Sequence, residues 1–151
     1  MHAYAATFRA LDLAEGDALV ELGGGTGYGA AIARAIVGDA GRVTTIEIVA
    51  ELAEEARALL GDRVEVICAD AHEVARWRGA RKVAVGFEVD EIPAAWLDAL
   101  APGGRLVAPV RGKLTQFTKD AAGAVAVRVL GDVRYVRDRA ASRAAGQAEA
   151  R

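Results

Sequence analysis

Cysteine, serine and histidine are scarce in this chain of 151 residues, and each scarcity removes a chemistry. Cys68 is the only cysteine, so no intrachain disulfide can form and a reducing compartment is the natural setting. Two histidines, His2 and His72, together with that cysteine are too few for a closed zinc site, although Cys68 and His72 bracket Asp70. Ser142 is the only serine, and no Ser-His-Asp constellation is legible. No apolar run approaches the roughly 20 residues of a membrane span. Arg9 and Asp12 interrupt the first apolar stretches, which argues against a secretory leader. Charge of one sign is also lacking: the formal net charge is −2, which gives no reason to expect nucleic acid or an anionic membrane as partner. The expectation is a soluble, cytoplasmic domain. At 53% hydrophobic and 26% charged residues, it has the composition of a globular chain able to bury a core.

What is present is glycine, concentrated where it matters. The stretch from Ala18 to Ala31 runs from a short apolar segment, Ala18–Leu22, into Gly23-Gly-Gly-Thr-Gly27 and then into a helix-like segment from Tyr28 to Val37. Strand, glycine turn and helix open a nucleotide-binding βαβ unit. Gly23, Gly25 and Gly27 are free to take positive φ and let a ligand approach the backbone.

The rest of the chain follows as alternating elements. An approximate helical stripe covers residues 1–13. Strands are predicted over 42–48, 64–68, 82–87 and 105–110. Helices are predicted over 49–60 and 93–100, with a short helix or helical turn over 71–77. Residues 114–118 and 125–130 flank Lys119-Asp-Ala-Ala-Gly123 as a hairpin, and a last short strand is placed over 133–136. This pattern predicts an α/β fold: a Rossmann-like, doubly wound, mostly parallel sheet with an antiparallel C-terminal hairpin. Residues 1–136 are read as the domain and 137–151 as a polar tail.

The loop alone fits two cofactors. Its Gly25-Thr-Gly27-Tyr-Gly-Ala30 satisfies a dinucleotide pattern, which leaves an NAD-dependent oxidoreductase open, though without a recognisable Tyr-Lys or His-Asp catalytic pair. Three acids point to S-adenosylmethionine instead. Glu21, just before the glycines, would repel a pyrophosphate but suits an ammonium, directly or through water. Glu47 closes the second strand, where a carboxylate accepts ribose hydroxyls. Asp70 closes the third, and with Ala71 stands where an adenine edge would lie. Singly, each is readable as a solvated carboxylate; three at consecutive strand ends mark the ligand edge of such a sheet.

Other residues carry plainer readings. Cys68 reads as a buried strand residue, and His72 as a surface residue rather than a base. Trp77 and Trp96 read as core or groove residues. His2 reads equally as pocket-lining or as terminal and exposed, and Tyr28 packs either on a ligand or against strand four. Arg128, Arg134, Arg137, Arg139 and Arg143 read as a solvated edge because Asp132 and Asp138 intersperse them.

Leu19-Val-Glu-Leu-Gly-Gly-Gly-Thr-Gly-Tyr28 resembles the first motif of class I methyltransferases, and Leu97-Asp-Ala-Leu-Ala-Pro-Gly-Gly-Arg-Leu-Val107 resembles their late strand signature. Within that superfamily the chain is most similar to the protein-L-isoaspartate O-methyltransferases. The similarity is carried by Met1-His-Ala-Tyr-Ala5, the Gly-Thr-Gly-Tyr loop, Glu91-Ile-Pro-Ala-Ala-Trp-Leu97 and Gly103-Gly-Arg-Leu-Val-Ala-Pro-Val110. The resemblance implies S-adenosyl-L-methionine as cofactor and methyl transfer to a carboxylate of a peptide or protein carrying isoaspartate or aspartate. It also implies that Ile48 packs on adenine, and it names no catalytic residue.

Three departures accompany the resemblance. Family members carry an upstream serine-containing segment that this chain begins after, and Ser142 cannot stand in for it. A start at an internal methionine is the preferred reading. The other is a specialised relative of the kind that modifies aspartates in ribosomally made peptides. Where relatives place small residues, this chain has Gly86-Phe-Glu-Val-Asp90, so Phe87 and Glu88 are expected to project into the pocket over the cofactor. An acid there would repel a substrate carboxylate unless it is protonated or paired. In Arg111-Gly-Lys-Leu-Thr-Gln116 the family's loop glutamine is out of register. A silent binding module that needs a partner or a missing segment is therefore kept as an alternative. The oligomeric state is not legible.

Overall fold

The computed structural model describes residues 3–140. Seven strands form one sheet in the order β3-β2-β1-β4-β5-β6-β7. In chain order the elements are α1 (Ala3–Ala10), β1 (Ala18–Leu22), α2 (Tyr28–Val37), β2 (Arg42–Glu47), α3 (Ala50–Leu60), β3 (Glu65–Cys68) and β4 (Lys82–Val85). They continue with α4 (Ala94–Ala99), β5 (Arg105–Val110), β6 (Lys113–Lys119) and β7 (Val125–Asp132). Pairing is parallel from β3 through β5 and antiparallel for β5–β6 and β6–β7. The chain builds β1, β2 and β3 outward in one direction, then returns to lay β4 on the other side of β1. That reversal leaves a crevice at the carboxyl ends of β1 and β4.

The central strands are apolar because both faces are covered. Leu22, Ile46, Val83, Val85, Leu106 and Ala108 pack on one face with Trp77, Trp96 and Phe87. Leu19, Val43, Ala84 and Val107 pack on the other with Phe8, Leu11, Ala33, Val37 and Ala56. Alanine at Ala30, Ala33, Ala53 and Ala56 of α2 and α3, all buried, lets these helices lie close to the sheet.

The doubly wound sheet and the C-terminal hairpin agree with the sequence-based expectation, and the short helix or helical turn expected over 71–77 is a 3₁₀ turn, Val74–Arg76. Three local expectations need correction. β4 stops at Val85 because Gly86 must pass the glycine loop: its N–H donates to the Leu22 carbonyl, and a Cβ on it would stand 2.5 Å from the Gly23 oxygen. Residues 133–136 form no strand; β7 instead runs on to Asp132, and the chain then crosses the end of β4. Cys68 is exposed rather than buried, since β3 is the edge of the sheet. Residues 1–2 and 141–151, with His2, Ser142, Arg143 and most of the expected tail, lie outside the described residues. No helix of the described residues is long and apolar enough to cross a membrane.

Candidate functional site

A cleft of about 300 Å³ lies at the switch point of the sheet. Its floor is Gly23, Gly24 and Gly25, its walls are Ile46, Glu47, Ile48, Asp70, Ala71 and Phe87, and a strap of residues 136–140 closes one side. Eight of the nine residues expected from the sequence cluster here; seven of them (Gly23, Gly25, Glu47, Ile48, Asp70, Ala71 and Phe87) line the cleft directly. Gly27 does so through the backbone it shapes. It holds φ 97° at the start of α2, where a Cβ would collide with Leu60 and Ala56 of α3. Gly23 and Gly25 also take positive φ, 78° and 56°.

Glu21 is the exception. It lies beneath the loop and is not among the lining residues, so direct hydrogen bonding to a ligand's ammonium does not match its position. It is 3% exposed, and its Oε1 accepts a hydrogen bond from the Thr45 hydroxyl at 2.8 Å. The loop rests on that carboxylate: a Cβ at Gly24 would come within 2.7 Å of Oε1, and one at Gly29 within 2.3 Å of Oε2. Burial raises the Glu21 pKa to about 7, the Thr45 hydroxyl opposes the rise, and the charge of Glu47 adds to it. Gly24, Gly29 and Thr45 are site residues that the sequence reading missed. Three consecutive glycines followed by another in the first helical turn were the available signal, because close approach demands glycine where positive φ does not.

Glu47 fixes the loop to the end of β2. Its Oε2 accepts from the Gly25 amide at 2.7 Å and its Oε1 from the Val49 amide at 2.9 Å. The Gly23 and Gly24 amides donate to the Ile46 carbonyl, and the Gly27 amide to the Gly24 carbonyl. The amides of Gly23, Gly24, Gly25 and Gly27 are thus all committed inside the protein. The loop holds its shape without an anion, and it presents a carboxylate where a phosphate-binding nest would present free N–H groups.

On the adenine side of the expected site, the Asp70 Oδ1 accepts from the His72 amide at 2.9 Å, which turns the chain at the end of β3. Ile48 and Ala71 supply the apolar surface nearby. Tyr28 is exposed and meets Tyr4 edge-on at 5.7 Å, rather than packing on strand four. Phe87 lies over Gly23, so close that a Cβ there would be 2.4 Å from its ring, and it stands edge-on to the buried Trp96.

Glu88 is not among the lining residues, contrary to expectation. Its backbone bridges Arg137, and its carboxylate lies 3.9 Å from that guanidinium, which also pairs with Asp90 at 3.0 Å. The Glu88 carboxylate, three residues past β4, thus lies beside a cation that it shares with Asp90. One residue further on, Asp138 reaches His72 Nε2 at 2.8 Å. A His-Asp pair that no spacing announces is thus brought together across 66 positions. Residues 137–140, read from sequence as the start of a tail, are part of the cleft wall. Among the described residues no group of three or more potential ligands is placed to hold a metal ion.

The model of the protein-L-isoaspartate(D-aspartate) O-methyltransferase family matches residues 1–142. The chain belongs to that family. A relative from Archaeoglobus fulgidus, protein-L-isoaspartate O-methyltransferase 2, is 40% identical over 144 residues, covering 89% of this chain and 65% of the relative. Among solved structures, a protein-L-isoaspartate O-methyltransferase superposes with a TM-score of 0.79 at 26% identity, covering 89% of this chain and 45% of that one. A Plasmodium falciparum member of the family, in complex with S-adenosyl-L-homocysteine, superposes with a TM-score of 0.72 at 22% identity and covers 91% of this chain and 73% of its own. The chain thus spans less than two thirds of the A. fulgidus relative and less than half of the first of these structures.

Proposed function

We propose that this chain binds S-adenosyl-L-methionine in the cleft at the switch point and transfers its methyl group to a carboxylate of an isoaspartyl or aspartyl residue in a peptide or protein. One observation carries the choice of cofactor: the amides of Gly23, Gly24, Gly25 and Gly27 are spent on Ile46, Gly24 and Glu47, and two carboxylates, Glu21 and Glu47, lie under and beside the loop. A pyrophosphate would meet negative charge and committed donors there. A cationic methionine moiety would meet compensating charge.

Within this reading, Gly23, Gly25 and Gly27 shape the floor under the methionine moiety, and Glu21 acts from below through the loop. Glu47 keeps lone pairs for the ribose hydroxyls while it holds the Gly25 and Val49 amides. Ile48 and Ala71 flank the adenine, Asp70 meets its edge, and Phe87 closes the opposite wall. The bound cofactor supplies a methyl group already activated on sulfonium. The carboxylate that receives it is ionised at neutral pH, so this chain's residues have no proton to remove. Their work is to hold the acceptor in line and keep water out. Pairing of Glu88 with Arg137 keeps the acid of strand four from repelling that acceptor.

The test is methyl transfer from labelled S-adenosylmethionine to an isoaspartyl peptide, with the aspartyl isomer in parallel. A base-labile methyl ester on either peptide is the expected product. Binding of the cofactor without transfer to any carboxyl peptide would contradict the activity and leave a binding module. Glu47→Ala in the folded chain is expected to weaken cofactor binding by about 1–3 kcal/mol, the range for hydrogen bonds to a charged group. Unchanged affinity would rule out the ribose assignment.

A further inference from the structure

Glu21 is a buried carboxylate whose partner, the Thr45 hydroxyl, is neutral, and no cation among the described residues acts on it. The groups around it come from three elements: Thr45 and Glu47 from β2, Tyr4 from α1, and Tyr135 beyond β7. Glu47 is acidic. Tyr4 and Tyr135 are phenols whose own pKa values are pushed up, chiefly by burial and additionally by the Glu21 charge, so they stay neutral. A carboxylate in such surroundings, without a counter-ion, pays the full cost of leaving water when it ionises. Gly24 and Gly29 place no side chain of their own between the carboxyl group and the cleft, and the Tyr4 ring lies beside Gly29.

We infer that Glu21 holds a proton when the cleft is empty and releases it when a cationic ligand settles on the loop, so that the buried acid supplies its negative charge most fully to the methylated cofactor. This rests on the cofactor proposed above. It adds a specificity-determining role to Glu21, as a positioning residue that acts through the loop. S-adenosylmethionine carries a sulfonium that S-adenosylhomocysteine lacks; the ammonium and carboxylate are common to both. A fixed charge under the loop would prefer the methylated ligand by the same factor at every pH. A titrating one ionises further in answer to the extra positive charge, so its preference for substrate over spent product grows with pH. Because binding draws the proton off, affinity for the methylated form rises with pH through the neutral range, by at most about tenfold per pH unit.

Calorimetric titration of the wild-type chain at pH 7, in buffers of differing ionisation enthalpy, counts the protons released with each ligand. The expected result is release of a substantial fraction of a proton with S-adenosylmethionine and clearly less with S-adenosylhomocysteine. The affinity ratio of the two should rise about three- to tenfold from pH 6 to pH 8. Glu21→Gln, close to the same shape, should abolish both the buffer dependence and the pH dependence of the ratio while still binding S-adenosylhomocysteine. Equal release with both ligands, no release, or release that persists in Glu21→Gln would overturn the inference and leave the cofactor reading standing. Failure of both ligands to bind the wild-type chain would overturn that reading, and this inference with it.

Discussion

Glu21 sets the cost of the site at the scale of a single residue. Its carboxyl group ionises at pH 4.5 in ordinary surroundings and near 7 in its buried position. Below pH 4.5 both folded and unfolded chains hold the proton, and the residue brings no penalty. As the pH rises towards 7 the unfolded chain ionises first, so stability is lost across that window and the loss is constant above it. The shift corresponds to about 3 kcal/mol. Glu21→Gln should therefore raise stability at pH 8 by up to about 3 kcal/mol and change little at pH 4.5. Chemical denaturation at the two pH values checks this, and equal effects at both would contradict the assigned burial cost.

Two tryptophans make a second comparison at this scale. Trp77 donates its indole N–H to the Ala71 carbonyl at 2.9 Å, whereas the buried Trp96 Nε1 has no hydrogen-bond partner among the described residues. Both changes to phenylalanine lose similar volume, so their difference isolates the hydrogen bond. Trp77→Phe should cost about 1–2 kcal/mol more than Trp96→Phe. Equal costs in denaturant titration would show that the Ala71 bond contributes nothing.

At the scale of elements, α4 is only six residues long and needs help at its end. Lys119, the last residue of β6, reaches across and donates to the carbonyls of Leu97, Asp98 and Leu100. A cation there satisfies the orphan acceptors and complements the helix dipole. Lys119→Met keeps the aliphatic stem and should cost about 1–2 kcal/mol, with hydrogen exchange accelerated first in α4. Uniform protection in the variant would contradict the capping role. This tie was not legible in the sequence, since residues 97 and 119 belong to elements with no common periodicity.

Legibility at this scale followed the reach of the signal. β1, α2, β2 and α3 could be read because apolar runs and glycine stops act within a few residues of one another. The end of β4 and the path of residues 133–138 could not, because they are set by contacts from distant chain: Gly86 against Gly23, Glu88 against Arg137, and Asp138 against His72. Cys68 was misplaced for a related reason. Nothing local shows that β3 is the sheet edge, so an apolar strand read as a buried one.

At the scale of the molecule, the sheet gathers residues from four strand ends into one cleft. Topology therefore explains why so much of the site was readable. A strand followed by an acid or a glycine places that residue at the carboxyl edge whatever the packing details, which is how Glu47, Asp70 and the loop glycines were found. Glu21 obeyed the same rule and yet points beneath the loop, because strand alternation decides which side of the sheet end a carboxylate takes. Gly24, Gly29 and Thr45 were missed because their role is to make room for, or bond to, that hidden acid. The strap of residues 136–140 escaped notice since it is polar in sequence and is held to residues far upstream by the Arg137 ion pairs and the Asp138–His72 contact.

The central claim is that this crevice is a site for S-adenosylmethionine and not for a dinucleotide. Titration calorimetry of the intact chain against S-adenosylmethionine, S-adenosylhomocysteine and NAD tests it most directly. Saturable binding of the first two, with none of NAD, is the predicted result. Binding of NAD alone would show that the loop accepts a pyrophosphate despite its committed amides and buried carboxylates, and would contradict the account.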